Sequence, residues 1–258
     1  MKKLKPLKRF GQNYLIDKNT IRKIVARFSP SENDNIVEIG PGQGALTSLL
    51  SQAVKNYKAI EIDKRVIDDL KLSFPAVEFI NADFLEIRLS ELAKGNKLRV
   101  IGNIPYNITS PIIFKLIEER EFVSDSLMMV QYEVAKRITG KPRTKDYGIL
   151  SVLTNYFADT EFCFKIPPTV FYPKPNVDSA ILAIKFGKST PDDVNDKLFV
   201  KVVKAAFGNR RKTLKNSLSN NAFGDLDLAS FPLDLTRRAE ELTIEQFVEL
   251  TKLIQQNS

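Results

Sequence analysis

The chain has no histidine and a single cysteine among 258 residues. Without imidazole there is no Ser-His-Asp triad, no histidine general base and no histidine-ligated metal centre. One cysteine excludes an internal disulfide and a multi-cysteine metal cluster, and fits a reducing compartment. That residue, Cys163, sits in the apolar run Phe162-Cys163-Phe164 and reads as a buried thiol. No stretch approaches the roughly 18 apolar residues of a membrane span. The basic segment Met1 to Arg9 has no apolar signal core. The expectation is a soluble cytoplasmic protein that engages neither membrane nor metal.

What is present is ordinary globular composition, 43% hydrophobic and 27% charged. The length permits one large domain, or a large one with a small one. Lysine and arginine total 39 against 31 acidic residues, a formal net charge of +8. Such a surplus suits a polyanionic partner, because cations that neutralise phosphates release condensed counterions.

Short β-branched runs alternate with helical patterns through the first two-thirds. Strands are predicted at 35–40, 57–63, 77–81, 98–102 and 127–131, with a helix over 46–55. This alternation predicts βαβ units and a mostly parallel sheet covered on both faces. Two more strands, 162–166 and 180–186, flank a proline-rich loop and close the sheet as an antiparallel edge. A polar linker at 187–193 then ends the α/β pattern. Beyond it, Phe199, Val202, Val203, Ala206 and Phe207 form one apolar helical face. Thr243 with Gln246 makes a capping box for a last helix, whose Ile244, Phe247, Val248 and Thr251 lie along one side. The predicted division is an α/β Rossmann-like domain over 1–188 and a small all-helical domain over 189–258.

The strongest local signal is Glu38-Ile39-Gly40-Pro41-Gly42-Gln43-Gly44, directly after a strand and opening a helix. Glycines such as Gly40 and Gly42 let the backbone approach a ligand, and a helix start offers free amide donors. Glu61 ends the second strand about twenty residues on, where a carboxylate accepts both hydroxyls of a ribose. Pro41 and the compact glycine spacing disfavour a pyrophosphate cradle, and with it a nicotinamide dinucleotide. Asp83, after the third strand, is a carboxylate suited to an adenine amine. S-adenosylmethionine, with its ribose, adenine and charged amino acid, has all of these parts. A second constellation, Gly102-Asn103-Ile104-Pro105-Tyr106-Asn107, follows the fourth strand and faces the same crevice. Asn103 offers an amide oxygen and Tyr106 a flat face, so the pair can hold a planar base while accepting from its exocyclic amine.

Asn103-Ile104-Pro105-Tyr106 resembles the motif of methyltransferases that act on the amino groups of nucleic-acid bases. Three further runs resemble signatures of ribosomal RNA adenine dimethyltransferases, in order: 10–15, the proline-rich 170–179 and 206–214. The resemblance covers nearly the whole chain and is strongest to the small-subunit branch of that family. It implies a class I S-adenosylmethionine-dependent methyltransferase domain, with Asn13, Leu15 and Gly40 lining the cofactor site. It further implies that Ile62 and Phe84 pack on the cofactor adenine, Asn103 sits between cofactor and target, and Phe171 stacks on the target opposite Tyr106. The implied reaction is dimethylation of two adjacent adenosines near the 3′ end of 16S rRNA, in a 30S particle, by a monomer. Tyr14 departs from the phenylalanine more usual in the family.

Duplex RNA hides its base edges, so the target comes from a loop or is flipped out. Three basic clusters are candidates for the flanking backbone: the arm with Lys8 and Arg9; Lys136, Arg137, Lys141, Arg143 and Lys145; and Arg210, Arg211, Lys212 and Lys215. Whether they share a surface is open at this level. Two alternatives keep the fold: a 23S rRNA methylase of the macrolide-resistance type, and an RNA-binding factor in which methylation is secondary.

Overall fold

The computed structural model describes residue 6 and residues 11–209, 211–227 and 231–257. In chain order the strands are β1 (Tyr14–Leu15), β2 (Asn35–Ile39), β3 (Asn56–Glu61), β4 (Glu78–Asn81), β5 (Leu98–Asn103), β6 (Val123–Gln131), β7 (Ala158–Ile166), β8 (Phe171–Tyr172) and β9 (Ser179–Phe186). The helices are α1 (Lys18–Phe28), α2 (Thr47–Leu50), α3 (Lys64–Ser73), α4 (Leu89–Ala93), α5 (Thr109–Glu118), α6 (Tyr132–Ile138), α7 (Ile149–Phe157), α8 (Asp196–Ala206), α9 (Leu214–Asn221) and α10 (Ile244–Gln256).

Seven strands form one sheet in the order β4-β3-β2-β5-β6-β9-β7. Pairs from β4 through β6 are parallel, and β9 runs antiparallel to β6. The chain runs outward from β2 to β4 and then crosses back to β5 on the other side of β2, so the carboxyl ends of β2 and β5 open the crevice in which ligands of such sheets sit. Every residue of β2 is buried, as a strand covered on both faces requires. Ile36, Val37, Val100 and Ile101 are at most 1% exposed, each contributing about 1.5–3 kcal/mol by leaving water.

Several expectations are corrected. The helix predicted over 46–55 is only the single turn α2; a tightened bond from Ala53 N to Leu50 O ends it. Cys163 is half-buried rather than buried, and its neighbour Phe162 is 38% exposed. In α10 the covered face is Phe247, Leu250, Thr251 and Ile254, one step round from the predicted stripe; the capping box at Thr243 forms as expected.

The chain divides into two compact units, 1–135 with 161–187 and 136–160 with 188–258. The break near 188 falls at the predicted linker. The segment 136–160, assigned from its position in sequence to the first domain, instead belongs to the helical unit. There Tyr156 and Phe157 of α7 pack on Phe199 of α8, with the Tyr156 and Phe199 rings stacked at 3.7 Å. Nothing in the local periodicity of α7 distinguishes a sheet-covering helix from one that joins a bundle.

Candidate active site

A cavity of about 360 Å³ opens at the carboxyl ends of β2, β3, β4 and β5, and all its lining residues belong to the first unit. Asn13, Leu15, Gly40, Gly42, Glu61, Ile62, Asp83, Phe84, Asn103 and Tyr106 all line it. Ile62 is 48% exposed, so it is an apolar wall and not a core residue.

The glycine loop is held from below. Glu61, 5% exposed, accepts from Gly42 N at 3.0 Å and from Asp63 N at 2.8 Å. Burial raises the Glu61 carboxyl, against the bonds from Asp63 and Gly42 that lower it. Gly42 lies at φ +56, and a Cβ there would meet the Tyr14 ring at 3.0 Å, so both conformation and space call for glycine. Beneath the loop Glu38, 1% exposed, accepts from Thr47 Oγ1 at 2.6 Å and from the Tyr57 hydroxyl. Desolvation pushes its carboxyl up to about 7, although both hydrogen bonds act downward.

That shift has a pH consequence. Folding favours the protonated Glu38, so its stabilisation is complete below the ordinary value of 4.5 and is lost as pH rises through about 7. The loss is on the order of 3 kcal/mol. In urea unfolding at pH 5 and pH 8, the wild type is expected to lose that much more stability between the two than Glu38→Gln. Equal losses in the two proteins would show that the carboxyl titrates elsewhere.

A strap of residues from the amino-terminal side closes the cavity. Gln12 Nε2 donates to Asp63 at 2.9 Å, β1 pairs antiparallel with β8, and Ile16 N donates to Val170 O at 2.9 Å. Asp63, 2% exposed, is held at about 2 by its bonds from Arg65 and then Gln12. Asn103 Nδ2 donates to the Asn13 carbonyl at 2.8 Å. A carbonyl only accepts, so this bond fixes which way the amide points and leaves Oδ1 as an acceptor on the other side. Tyr106 sits on a 3-10 turn, its hydroxyl 2.8 Å from the fully buried Ser179 Oγ; burial raises its phenol.

Phe171 is placed differently from expectation. It is 4% exposed within the core cluster that holds Leu15, Ile166 and Ile181, and it does not line the cavity. Pairing opposite Leu15 turns its ring inward, and strand alternation turns the next residue, Tyr172, outward at 62% exposure. Tyr14, whose buried hydroxyl has no partner among the described residues, has its phenol pushed up to about 12 by burial and by Asp63 and Glu61.

Of the basic clusters, Lys8, Arg9 and Arg210 lie outside the described residues. In the helical unit Arg143, Lys145 and Arg211 line one cleft with Arg238, which no sequence signal singled out. Arg137, Lys141 and Lys212 are exposed, and Lys136 is 3.9 Å from Asp146. The sequence reading also passed over Gln12, Asp63 and the pairing of Ser179 with Tyr106. Each is a contact between distant segments and leaves no local pattern.

The donor set fits S-adenosylmethionine. Glu61 and Asp83 line the cavity beside Glu38, whose carboxyl burial favours in the neutral form, and no lysine or arginine does so among the described residues. That charge suits a sulfonium and an ammonium and opposes a dinucleotide's diphosphate. Apolar Leu15, Ile62 and Phe84 offer walls for a purine.

The sequence profile of the ribosomal RNA adenine dimethylase family matches residues 3–256. A ribosomal RNA small subunit methyltransferase A of Chlorobium phaeobacteroides is 43% identical over 95% of this chain and 92% of its own. One from Francisella tularensis is 42% identical over 98% of each. Among solved structures, a dimethyladenosine transferase from Plasmodium falciparum superposes with a TM-score of 0.79 at 24% identity, over 93% of this chain and 96% of that one. The 23S rRNA methyltransferase ErmE gives 0.69 at 27% identity, over 93% and 98%.

Proposed function

The chain belongs to the ribosomal RNA adenine dimethylase family, and from that premise we propose that it dimethylates the exocyclic amines of two adjacent adenosines near the 3′ end of 16S rRNA, within the 30S particle, as a cytoplasmic monomer. It is an S-adenosylmethionine-dependent methyltransferase acting on ribosomal RNA. The small subunit is favoured over the large one because relatives named for it reach 43% identity, against 27% for the 23S enzyme.

When bound, S-adenosylmethionine supplies a sulfonium methyl that needs no further activation. Glu61 and Asp83 would hold its ribose and adenine, with Ile62 and Phe84 as walls. The chain's remaining task is the nucleophile, since an adenine amine shares its lone pair with the ring. Asn103 Oδ1, aimed by the bond from Nδ2 to Asn13, accepts from that amine and draws its nitrogen toward a tetrahedral geometry. Tyr106 supplies the stacking face, its ring held by Ser179, while Phe171 underpins the proline-rich loop from the core. Fixing reactants in this way supplies on the order of 7–11 kcal/mol in favourable cases. The displaced proton leaves to solvent, so the absence of histidine is no obstacle. The observation that carries this reading is the orientation of Asn103 inside a cavity lined by carboxylates.

The test incubates the protein with tritiated S-adenosylmethionine and 30S particles that lack the modification, beside 50S particles. Label is expected in 30S RNA and should digest to dimethyladenosine. Label confined to 50S RNA would move the substrate to the large subunit, and none in either would overturn the reading.

A further inference from the structure

Beyond the cofactor cavity, the first unit carries a second pocket of about 370 Å³ that shares no lining residue with it. It lies between the end of β6, the start of α6 and the proline-rich loop, and it is lined by Gln131, Tyr132, Glu133, Asn176, Val177 and Asp178, among others. We propose that this pocket is the subsite for the nucleobase adjacent to the target adenosine, and that it selects a base bearing an exocyclic amine. The proposal rests on the methylation reading above.

Position is the first support. Gln131 pairs with Ser179 across β6 and β9, and the Ser179 hydroxyl is 2.8 Å from that of Tyr106. The pocket therefore begins level with the tether of the stacking ring on β6, at Gln131, and one residue from it on the β9 side, at Asp178. It also lies at the carboxyl end of β6, whose partner β5 ends in Asn103. A nucleotide next to one seated on Tyr106 has this pocket within its reach.

Charge and shape are the second. Glu133 and Asp178 are carboxylates, and no lysine or arginine lines the pocket among the described residues. Lys165 stands just outside, 2.6 Å from Asp178 and 4.8 Å from the Tyr132 ring centroid. Lys165 offsets the charge of Asp178 from outside, and what the lining itself presents is carboxylate oxygen, an acceptor for a hydrogen-bond donor. Tyr132 is braced, with Phe162 edge-on at 5.8 Å and its backbone N donating to Asp178 O at 2.9 Å. Val177, 44% exposed, adds an apolar contact. The volume falls at the small end of ligand sites and matches one base rather than a longer segment. Adenine presents an amine donor at its six-position where a carbonyl base presents an acceptor. Facing two carboxylates, the donor is satisfied and the acceptor is left unpaired.

The experiment uses 30S particles in which each of the two adjacent adenosines is replaced in turn by inosine, which carries oxygen in place of the amine. The rate of first methyl transfer to the remaining adenosine is read by mass spectrometry and compared with the unsubstituted particle. Wild-type protein is expected to be at least about tenfold slower when the neighbour is inosine, the scale of an unpaired polar group. The double variant Glu133→Gln, Asp178→Asn presents amide donors to that oxygen, and should bring the two rates within about twofold. The ratio is internal to each protein, so a smaller folded fraction does not change it. Equal wild-type rates, or an unchanged ratio in the variant, would overturn the subsite while leaving methylation intact. No label even on the unsubstituted particle would overturn the methylation reading, and the subsite with it.

Discussion

Asn103→Ala is expected to slow methyl transfer at saturating cofactor by about a hundredfold or more. The figure is that of removing one oriented hydrogen-bonding group from the reacting atoms of an enzyme. Alanine removes the acceptor for the target amine and also the donor to the Asn13 carbonyl. The second loss frees one end of the strap over the cavity, so cofactor affinity should fall as well, by the few-fold that one net hydrogen bond represents. Asn103→Asp separates the two roles. Aspartate keeps an acceptor but cannot donate to a carbonyl, so its oxygens are pushed away from Asn13 and the acceptor is misaimed. If orientation by Asn13 matters, the aspartate variant is nearly as slow as alanine in single-turnover assays with bound cofactor. A rate within a few-fold of wild type in the alanine variant would remove Asn103 from the reaction, and one in the aspartate variant alone would remove the orienting role of Asn13.

Gly102→Ala should be the most destabilising single methyl in the sheet. The added Cβ would stand 2.5 Å from the Ile39 carbonyl and 3.1 Å from the Ile39 Cβ. The carbonyl belongs to β2, buried on both sides, and cannot give way as a flexible side-chain tip would. Overpacking of this kind costs about 3 kcal/mol, which for a chain of this size lowers the melting temperature by roughly 6–12 °C. Gly148→Ala is the control, since a Cβ there meets nothing within 4 Å and its φ is −177°; it should shift melting by far less. Equal melting temperatures for the two variants would mean that β2 and β5 can separate at no cost. Because Ile39 leads into Gly40, cofactor affinity should fall along with stability in Gly102→Ala.

The parallel sheet was legible because its signals are local. Glu38 to Gly44 and Asn103 to Tyr106 each follow a β-branched run, and strand order brings them to one crevice. Gly40, Gly42, Glu61, Asp83 and Asn103 carry local signals of this kind, whereas Asn13, Leu15, Ile62 and Phe84 follow only from the family resemblance; all of them line the cavity. What local pattern cannot carry is partnership across the fold. The family resemblance implies Phe171 against the target, and nothing near it in sequence shows that Leu15 pairs with it and turns its ring inward. Segment 136–160 was assigned to the sheet domain because an apolar helix looks the same whichever layer it covers. The cleft shared by Arg143, Arg211 and Arg238 joins three stretches up to 95 residues apart, counted from 143 to 238.

The pairing of β1 with β8 sets an order on the birth of the enzyme. Residues 14 and 15 emerge early in synthesis, yet their partners are Tyr172 and Phe171, and Asn103 must also be made before its amide can find Asn13. The cover of the cavity thus joins two stretches of the first unit that lie far apart in sequence. Closing so long a loop adds little entropy beyond that of a shorter one, but it delays completion of the site. A nascent chain shorter than about 172 residues has the glycine loop and its carboxylates without the cover. Methylating competence therefore waits on β8 for the cover, and on β9, which joins the sheet beside β6 and whose Ser179 holds Tyr106.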